Sequence, residues 1–221
     1  MKVSRGFIGN VLVGKNRARA SAFTVIELLA VIAIIGILLA ILIPSVASAR
    51  TTANKARTRA QFNQWAAAIE LFRSEYGYYP AFDPTFKVNG GATETDHLFH
   101  DLLAARKRDG SALASDETAA LQNKKLIRFH VFAETDFADA ASADAGLLCD
   151  AFGTTDIAVL VDRNLDGVIN ADDYGSDLPA VNGCRPTAND FPAAGLRAGV
   201  VFYDALRGSS DENPAFIFSW K

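Results

Sequence analysis

Between residues 162 and 173 the chain reads Asp162-Arg163-Asn164-Leu165-Asp166-Gly167-Val168-Ile169-Asn170-Ala171-Asp172-Asp173. Alternate oxygen-bearing side chains point Asp162, Asn164 and Asp166 at one centre. Gly167 permits the sharp turn that follows, Val168 offers its backbone carbonyl, and Ile169 anchors the loop to a core. The segment meets the calcium-loop pattern D-x-[DN]-x-[DN]-G-x5-E at every specified position except the last, where Asp173 stands for Glu. With oxygen donors and no imidazole or thiol, the set favours Ca2+ over zinc or copper. Asp173 is one methylene shorter than Glu, which weakens bidentate closure. The expected ligands are therefore Asp162, Asn164, Asp166, Val168 and Asp173, and the expected role of the ion is structural. It offsets repulsion among the acids and fixes the segment that follows. The alternative is an Asp-Gly turn whose acids are solvated.

A second carboxylate stands alone. From Phe23 to Ile43 the only charge is Glu27. At about 1.5 Å per helical residue, this run spans roughly 30 Å, the hydrocarbon thickness of a bilayer. An Asp at the centre of such a span costs about 2.5 to 3.5 kcal/mol, and an acid there usually has a partner and a function. The span supplies no cation. Upstream, Lys2, Arg5, Lys15, Arg17 and Arg19 form a basic leader with no acid, ending in Ala20-Ser21-Ala22. Cleavage between Ala22 and Phe23 would put a new positive amino terminus close to Glu27. The two could meet within one helix or between staggered helices in lipid, where a paired charge costs far less than a lone one. The segment would then serve assembly as well as anchoring.

A basic leader, a small residue, Phe-Thr-x-x-Glu-Leu, and an apolar run with Pro44 near its end together resemble the type IV pilins and type II secretion pseudopilins. That resemblance implies a prepilin peptidase that cuts before Phe23 and N-methylates it. It makes Phe23, Thr24 and Glu27 the first, second and fifth mature positions, with Glu27 paired to a neighbouring subunit's amino terminus. The family's residue before the cut is nearly always Gly, and here it is Ala22. Two further segments are similar to major pseudopilins: Tyr76-Gly77-Tyr78-Tyr79-Pro80 to their helix exit, and Asp150-Ala151-Phe152-Gly153 to their Asp-Pro-Trp-Gly turn. The acidic loop, preceded by a strand, looks more like a dockerin-type or pseudopilin structural loop than a calcium sensor. The function implied is a pseudopilin subunit polymerising through its N-terminal helix into a periplasmic filament that drives type II secretion. Its implied partners are copies of itself, the prepilin peptidase, the inner-membrane secretion platform and minor pseudopilins. Its implied location is the bacterial inner membrane, single-pass, with the C-terminal domain in the periplasm. The alternatives are a surface or competence type IV pilin, or a membrane-anchored calcium-dependent binding module that never polymerises.

The elements that must position these residues follow from periodicity. Phe62, Trp65, Ile69, Phe72 and Tyr76 form an apolar stripe on a helix continuing beyond the membrane, with Ala53, Ala56 and Ala60 expected to extend it backwards. Pro44 should kink or loosen that helix, and Gly77 and Pro80 should end it. Short helices are expected near 98–103 and 116–121. Strands are expected at 126–132, 157–161, 200–203 and 216–218. The expected fold is α+β: a long N-terminal helix, membrane-spanning in its first half, packed on a small antiparallel pilin-like sheet carrying the calcium loop. The organisation is a leader (1–22), a membrane and assembly helix (23–43), its soluble continuation (44–76) and a periplasmic globular domain (77–221).

Composition narrows the function further. The 221 residues hold 22 Lys+Arg against 25 Asp+Glu, a formal charge of −3 that becomes −8 once the five leader cations are gone. Nucleic acid is excluded as a main partner on that balance. Arg50, Lys55, Arg57 and Arg59 follow the span, so the positive-inside bias is weak and the resemblance sets the orientation. Cys149 and Cys184 bracket the acidic loop. In an exported protein they are expected to form a disulfide worth about 3 to 4 kcal/mol, two independent thiols being the alternative. His97 and His100 sit beside Asp96 and Asp101 without a third metal ligand and read as a solvated helix face. His130 reads as a sheet-face residue. No nucleophile elbow, zinc-protease or phosphate-loop motif is present, and no enzyme activity is expected.

Overall fold

The computed structural model describes residues 23–82, 85–90, 97–175, 177–206, 208–209 and 214–221. The leader, with Ala22 and its five cations, and Asp96 lie outside the described residues. The chain divides into one unit ending at Ser48 and another beginning at Ala49.

Helix α1 (Val25–Tyr76) runs through Pro44 without a break. In the first unit it is apolar on every side, and its large side chains from Val25 to Val46 are exposed. Among the described residues it is the one helix long and apolar enough to cross a membrane, with a mean hydropathy of 3.1 over its best window. A helix without a polar face needs an apolar surrounding, which the described residues do not provide.

In the second unit α1 is amphipathic. Thr58, Phe62, Trp65, Ala68, Ile69 and Phe72 are buried, and the expected stripe holds from Phe62 onward. Its backward extension is corrected: Ala53, Ala56 and Ala60 are exposed, and Thr58 carries the stripe instead. At 3.6 residues per turn the three alanines fall on the face opposite Phe62, whereas Thr58 lies one turn before it. The helix ends at Tyr76, with Gly77 at φ +80 and its N–H donating to the Arg73 carbonyl at 2.7 Å. Glycine is favoured in that left-handed turn.

Short helices α2 (Leu98–Ala104) and α3 (Thr118–Gln122) follow, then β1 (Ala158–Val161), α4 (Ala171–Tyr174), β2 (Val200–Ala205) and β3 (Phe216–Phe218). The sheet is antiparallel in the order β1-β2-β3, with Val159 opposite Phe202 and Asp204 opposite Ile217. Alternation sends Val159, Val161, Phe202 and Ile217 into a cluster with the α1 stripe, α2 and α3. It sends Ala158, Leu160, Val201 and Tyr203 into a second cluster with Ile169, Val181, Cys184 and Phe191. Both faces are covered, so β1 and β2 are buried at every position. Trp65 links the first cluster, its ring meeting Phe99 at 5.4 Å and Phe202 at 5.8 Å edge-on. Next to β2, a Cβ on Gly199 would collide with the Tyr79 hydroxyl and the Glu70 carboxylate, which are bonded to each other at 2.8 Å.

The fold is α+β as expected, with three strands instead of four. Residues 126–132 are irregular. Leu126 has φ +49, the amides of Phe129 and His130 both donate to the Leu103 carbonyl, and Ile127 is held through its N–H and carbonyl by the Asn123 side chain. With those groups committed to α2 and α3, the segment forms no ladder, and its aromatics pack instead: Phe129 on Phe72 at 5.4 Å and Phe132 near Trp65 at 6.2 Å. Trp65→Ala is expected to cost about 3–5 kcal/mol in denaturant unfolding of the detergent-solubilised protein. A loss below about 1 kcal/mol, where surface substitutions fall, would remove Trp65 from the centre of the core.

Candidate functional site

The acidic loop leaves the end of β1 and closes on α4. Asp162 is wholly buried, its Oδ2 accepting the Gly167 N–H at 2.8 Å and its Oδ1 the Asp166 N–H at 3.1 Å. Gly167 has φ +85, the left-handed turn for which glycine is suited. At the far end Asp173, also buried, accepts the Arg163 N–H at 2.7 Å on Oδ1 and the Asn170 N–H at 3.0 Å on Oδ2. Asn170 caps α4, accepting the Asp172 N–H at 2.7 Å, and Asn170 with Asp173 forms a capping box. Ile169 exchanges backbone hydrogen bonds with Leu196 and is buried.

The outer donors are arranged differently. Asn164 and Asp166 are exposed, and the Asn164 amide donates to Asp166 Oδ2 at 3.1 Å. Asp166 Oδ1 accepts the Val168 N–H at 2.8 Å. Arg163, the one cation in the loop sequence, lies over the Phe86 ring at 4.4 Å. Among the described residues no three His, Cys, Asp or Glu side chains form a ready-made metal cluster. The loop thus holds two buried carboxylates satisfied by backbone N–H groups, and an outer Asn–Asp pair turned on itself. In donor chemistry the residues fit a hard divalent cation: every candidate ligand is an oxygen, and each inner carboxylate is already fixed by its amides.

The histidines are not where their sequence pattern suggests. His100 is buried instead of solvated, its Nδ1 2.8 Å from Asp101 Oδ1 and its ring against Phe132 and Phe137. His130 lies in the irregular segment and not on a sheet face, and burial lowers its pKa. Neither joins the acidic loop.

At the N-terminal end, Glu27 has a local partner that the sequence reading passed over. The Thr24 N–H and hydroxyl both donate to Glu27 Oε2 at 2.8 Å, and the Glu27 N–H donates to Thr24 Oγ1 at 3.2 Å. This is a capping box at the start of α1, signalled by Thr-x-x-Glu before an apolar run. It satisfies helix N–H groups that would otherwise be orphaned. Phe23 precedes the cap and is exposed.

A family model described as the prokaryotic N-terminal methylation motif matches residues 17–43. That motif is the signal feature of type IV pilins and pseudopilins, and it implies prepilin-peptidase processing and pilin-like polymerisation in general. With the apolar half of α1 it is consistent with membrane anchoring. No curated protein and no solved structure matches the chain.

The expected disulfide is corrected. Cys149 and Cys184 are both buried thiols, with no bond between them. Cys149 lies on the helix side, where Gln61 of α1 donates to its carbonyl at 3.0 Å. Cys184 packs into the cluster on the other face of the sheet, its Sγ 3.7 Å from the Asn182 carbonyl. The two lie in different surroundings, and proximity along the chain to one loop does not bring them together. Burial, with Asp150 and Asp136 nearby, pushes the Cys149 thiol up to about 11, so it is a poor nucleophile at neutral pH. Alkylation without reductant is expected to add nothing to the folded protein and two adducts to the unfolded one. Two adducts appearing only after reduction would restore the bridge.

Proposed function

We propose that this chain is a subunit that polymerises through its N-terminal helix into a pilin-like filament, and that within this class it serves as a type II secretion pseudopilin. One observation carries the reading: α1 joins an apolar half that no other described residue covers, bearing the methylation motif and one acid, to an amphipathic half that builds the domain's core. Neighbouring helices together with lipid would supply the missing apolar surrounding. Glu27 would have two tasks there. Its Oε2 caps its own helix through Thr24. Its remaining charge would pair with the amino terminus created on a neighbouring Phe23, which sets the stagger between subunits because an unpaired acid in lipid is costly. Pro44, at the end of the apolar run, would loosen the helix by removing one backbone hydrogen bond. The secretion assignment rests on the similarities at residues 76–80 and 150–153 and on the acidic loop.

This reading predicts that protein extracted from membranes begins at an N-methylated Phe23. It also predicts that Glu27→Ala leaves this processing intact while abolishing ordered filaments in electron micrographs. Filaments of normal order from Glu27→Ala would sink the role given to the carboxylate. An uncut leader on the wild type would favour the anchored binding module.

The acidic loop would hold Ca2+ in a structural role, the chain contributing Asp162 and Asp173 as prearranged acids. Asn164 and Asp166 would turn from each other toward the ion, and the Val168 carbonyl would complete the set. A divalent ion there would balance the charge of the two buried carboxylates. The detergent-solubilised full chain is expected to gain on the order of 1–3 kcal/mol in millimolar Ca2+. Chelator should reverse the gain, and Asp162→Asn should abolish it. An unchanged melting temperature in the wild type on adding Ca2+ would refute the site.

A further inference from the structure

A second pair of acids lies where α1, the turn after residue 149 and β2 meet, and the proposed function makes no use of it. Asp204 is in the middle of the structure: it sits on β2, is completely buried, and faces the α1 side of the sheet opposite Ile217. Asp150 is also buried and opens the turn to Gly153. Its Oδ1 accepts the N–H groups of Phe152 and Thr154, both at 2.8 Å, and its Oδ2 accepts the Thr58 hydroxyl of α1 at 3.1 Å. The two carboxyl groups are within hydrogen-bonding reach of each other.

Asp204 is poorly supplied with donors. The neighbouring Ala205 N–H favours its charged form, but its Oδ1 has a long contact of 3.4 Å from the Asn182 amide, and its Oδ2 has no partner among the described residues. The nearby Thr154 hydroxyl, also buried, has none either. Among the described residues, no cation is paired with either acid. α1 presents the neutral Thr58, and its adjacent Arg57 and Arg59 are exposed. Asp156, which is itself paired with Lys87, also acts on Asp204. An ionised carboxylate completely out of water beside a second one, with no cation, is costly.

We infer that Asp150 and Asp204 share one proton at neutral pH, with Asp204 carrying it and donating to Asp150, so that the joint between α1 and the sheet is a proton-binding site. The shared proton supplies the partner that Asp204 Oδ2 lacks. It also leaves Asp150 ionised, as its two backbone N–H donors and the Thr58 hydroxyl favour. Burial, and then the Asp150 charge, push Asp204 up to about 9, and burial raises Asp150 in spite of its donors.

The sign of the pH dependence follows. A carboxyl whose folded pKa lies above its unfolded value makes the folded state bind more protons between the two values. Its contribution to stability is complete below the unfolded carboxylate range and is lost as pH rises toward about 9. Raising pH should therefore weaken the Thr58–Asp150–Asp204 joint.

The test is proton release on unfolding of the full chain in detergent. At pH 8, where histidines are largely neutral and ordinary carboxylates ionised, the wild type is expected to release about one proton per molecule, read from the dependence of unfolding enthalpy on buffer ionisation heat. Asp204→Asn keeps the shape and the hydrogen bond to Asp150 and should remove that release. It should also flatten the fall in melting temperature between pH 5 and 9. Asp150→Asn, which removes the like charge and leaves burial, should reduce the slope without abolishing it. Equal proton release by wild type and Asp204→Asn would overturn the inference. If Asp204→Asn does not fold, wild-type release near zero at pH 8 overturns it by itself, as does a melting temperature that rises with added potassium or calcium in both wild type and Asp162→Asn.

Discussion

The burial of one face of α1 is the constraint on which the rest of the second unit depends. Thr58, Phe62, Trp65, Ile69 and Phe72 recur every three or four residues and present one apolar strip. One layer of later elements is placed by what it can lay against that strip: Phe202 and Val159 from the sheet, Phe99 and Leu102 from α2, Phe129 and Phe132 from the irregular segment. The strands are short, and β3 has only Phe216–Phe218. A sheet this small is marginal by itself, and packing against a helix is what lets three strands persist. The same helix, followed toward its N-terminus, loses its polar face. The transition lies in its sequence, where Arg50, Lys55, Arg57 and Arg59 follow the apolar run and precede the aromatic stripe.

The legible parts of the fold were those in which one physical signal dominated. The aromatic stripe, the stop at Gly77 and the strands near 158, 200 and 216 each had a single period or breaker behind them. Residues 126–132 were misread because alternating apolar and aromatic side chains describe a strand equally well as an irregular segment lying on two helices. What decides is where the backbone amides go, and here they go to Leu103 and Asn123. The three alanines were misplaced by extending a period without tracking its phase. The cysteines were misjudged because chain distance does not reveal the different surroundings in which they lie. The capping boxes at Thr24–Glu27 and Asn170–Asp173 were written in the sequence, but the same acids also fit an assembly contact and a metal loop, and the local role was overlooked.

Those two capping boxes explain why the site acids are ordered at all. Glu27 and Asp173 each hold the N-terminus of a helix, receiving backbone N–H groups that would otherwise lack partners. A carboxylate fixed in this way has lost its rotamer freedom before any partner arrives, so a partner need not supply that ordering. The cost of a lone acid in an apolar helix or a buried loop is thereby divided. Local amides meet part of it, and a cation from outside the segment has only the remaining charge to balance.

Across the molecule, acids outside ordinary solvent meet one problem by three routes, and the local supply of donors decides which. Glu27 has Thr24 and, as proposed, an amine from another subunit. Asp162 and Asp173 have backbone N–H groups on both oxygens, which fix their side chains in place. Asp204 has one long amide contact, the N–H of its neighbour Ala205 and a bare oxygen, a setting in which burial and the Asp150 charge favour the neutral acid. The difference comes from the backbone around each acid. The loop after β1 curls through Gly167 and so turns successive amides inward, whereas Asp204 lies within a regular strand whose amides are engaged in the ladder. A regular strand turns few of its own N–H groups toward one of its side chains, and only the Ala205 N–H acts on Asp204 from within β2. An acid buried there must take its compensation from a neighbouring element or from a proton, and the neighbour that β2 meets at Asp204 is another acid.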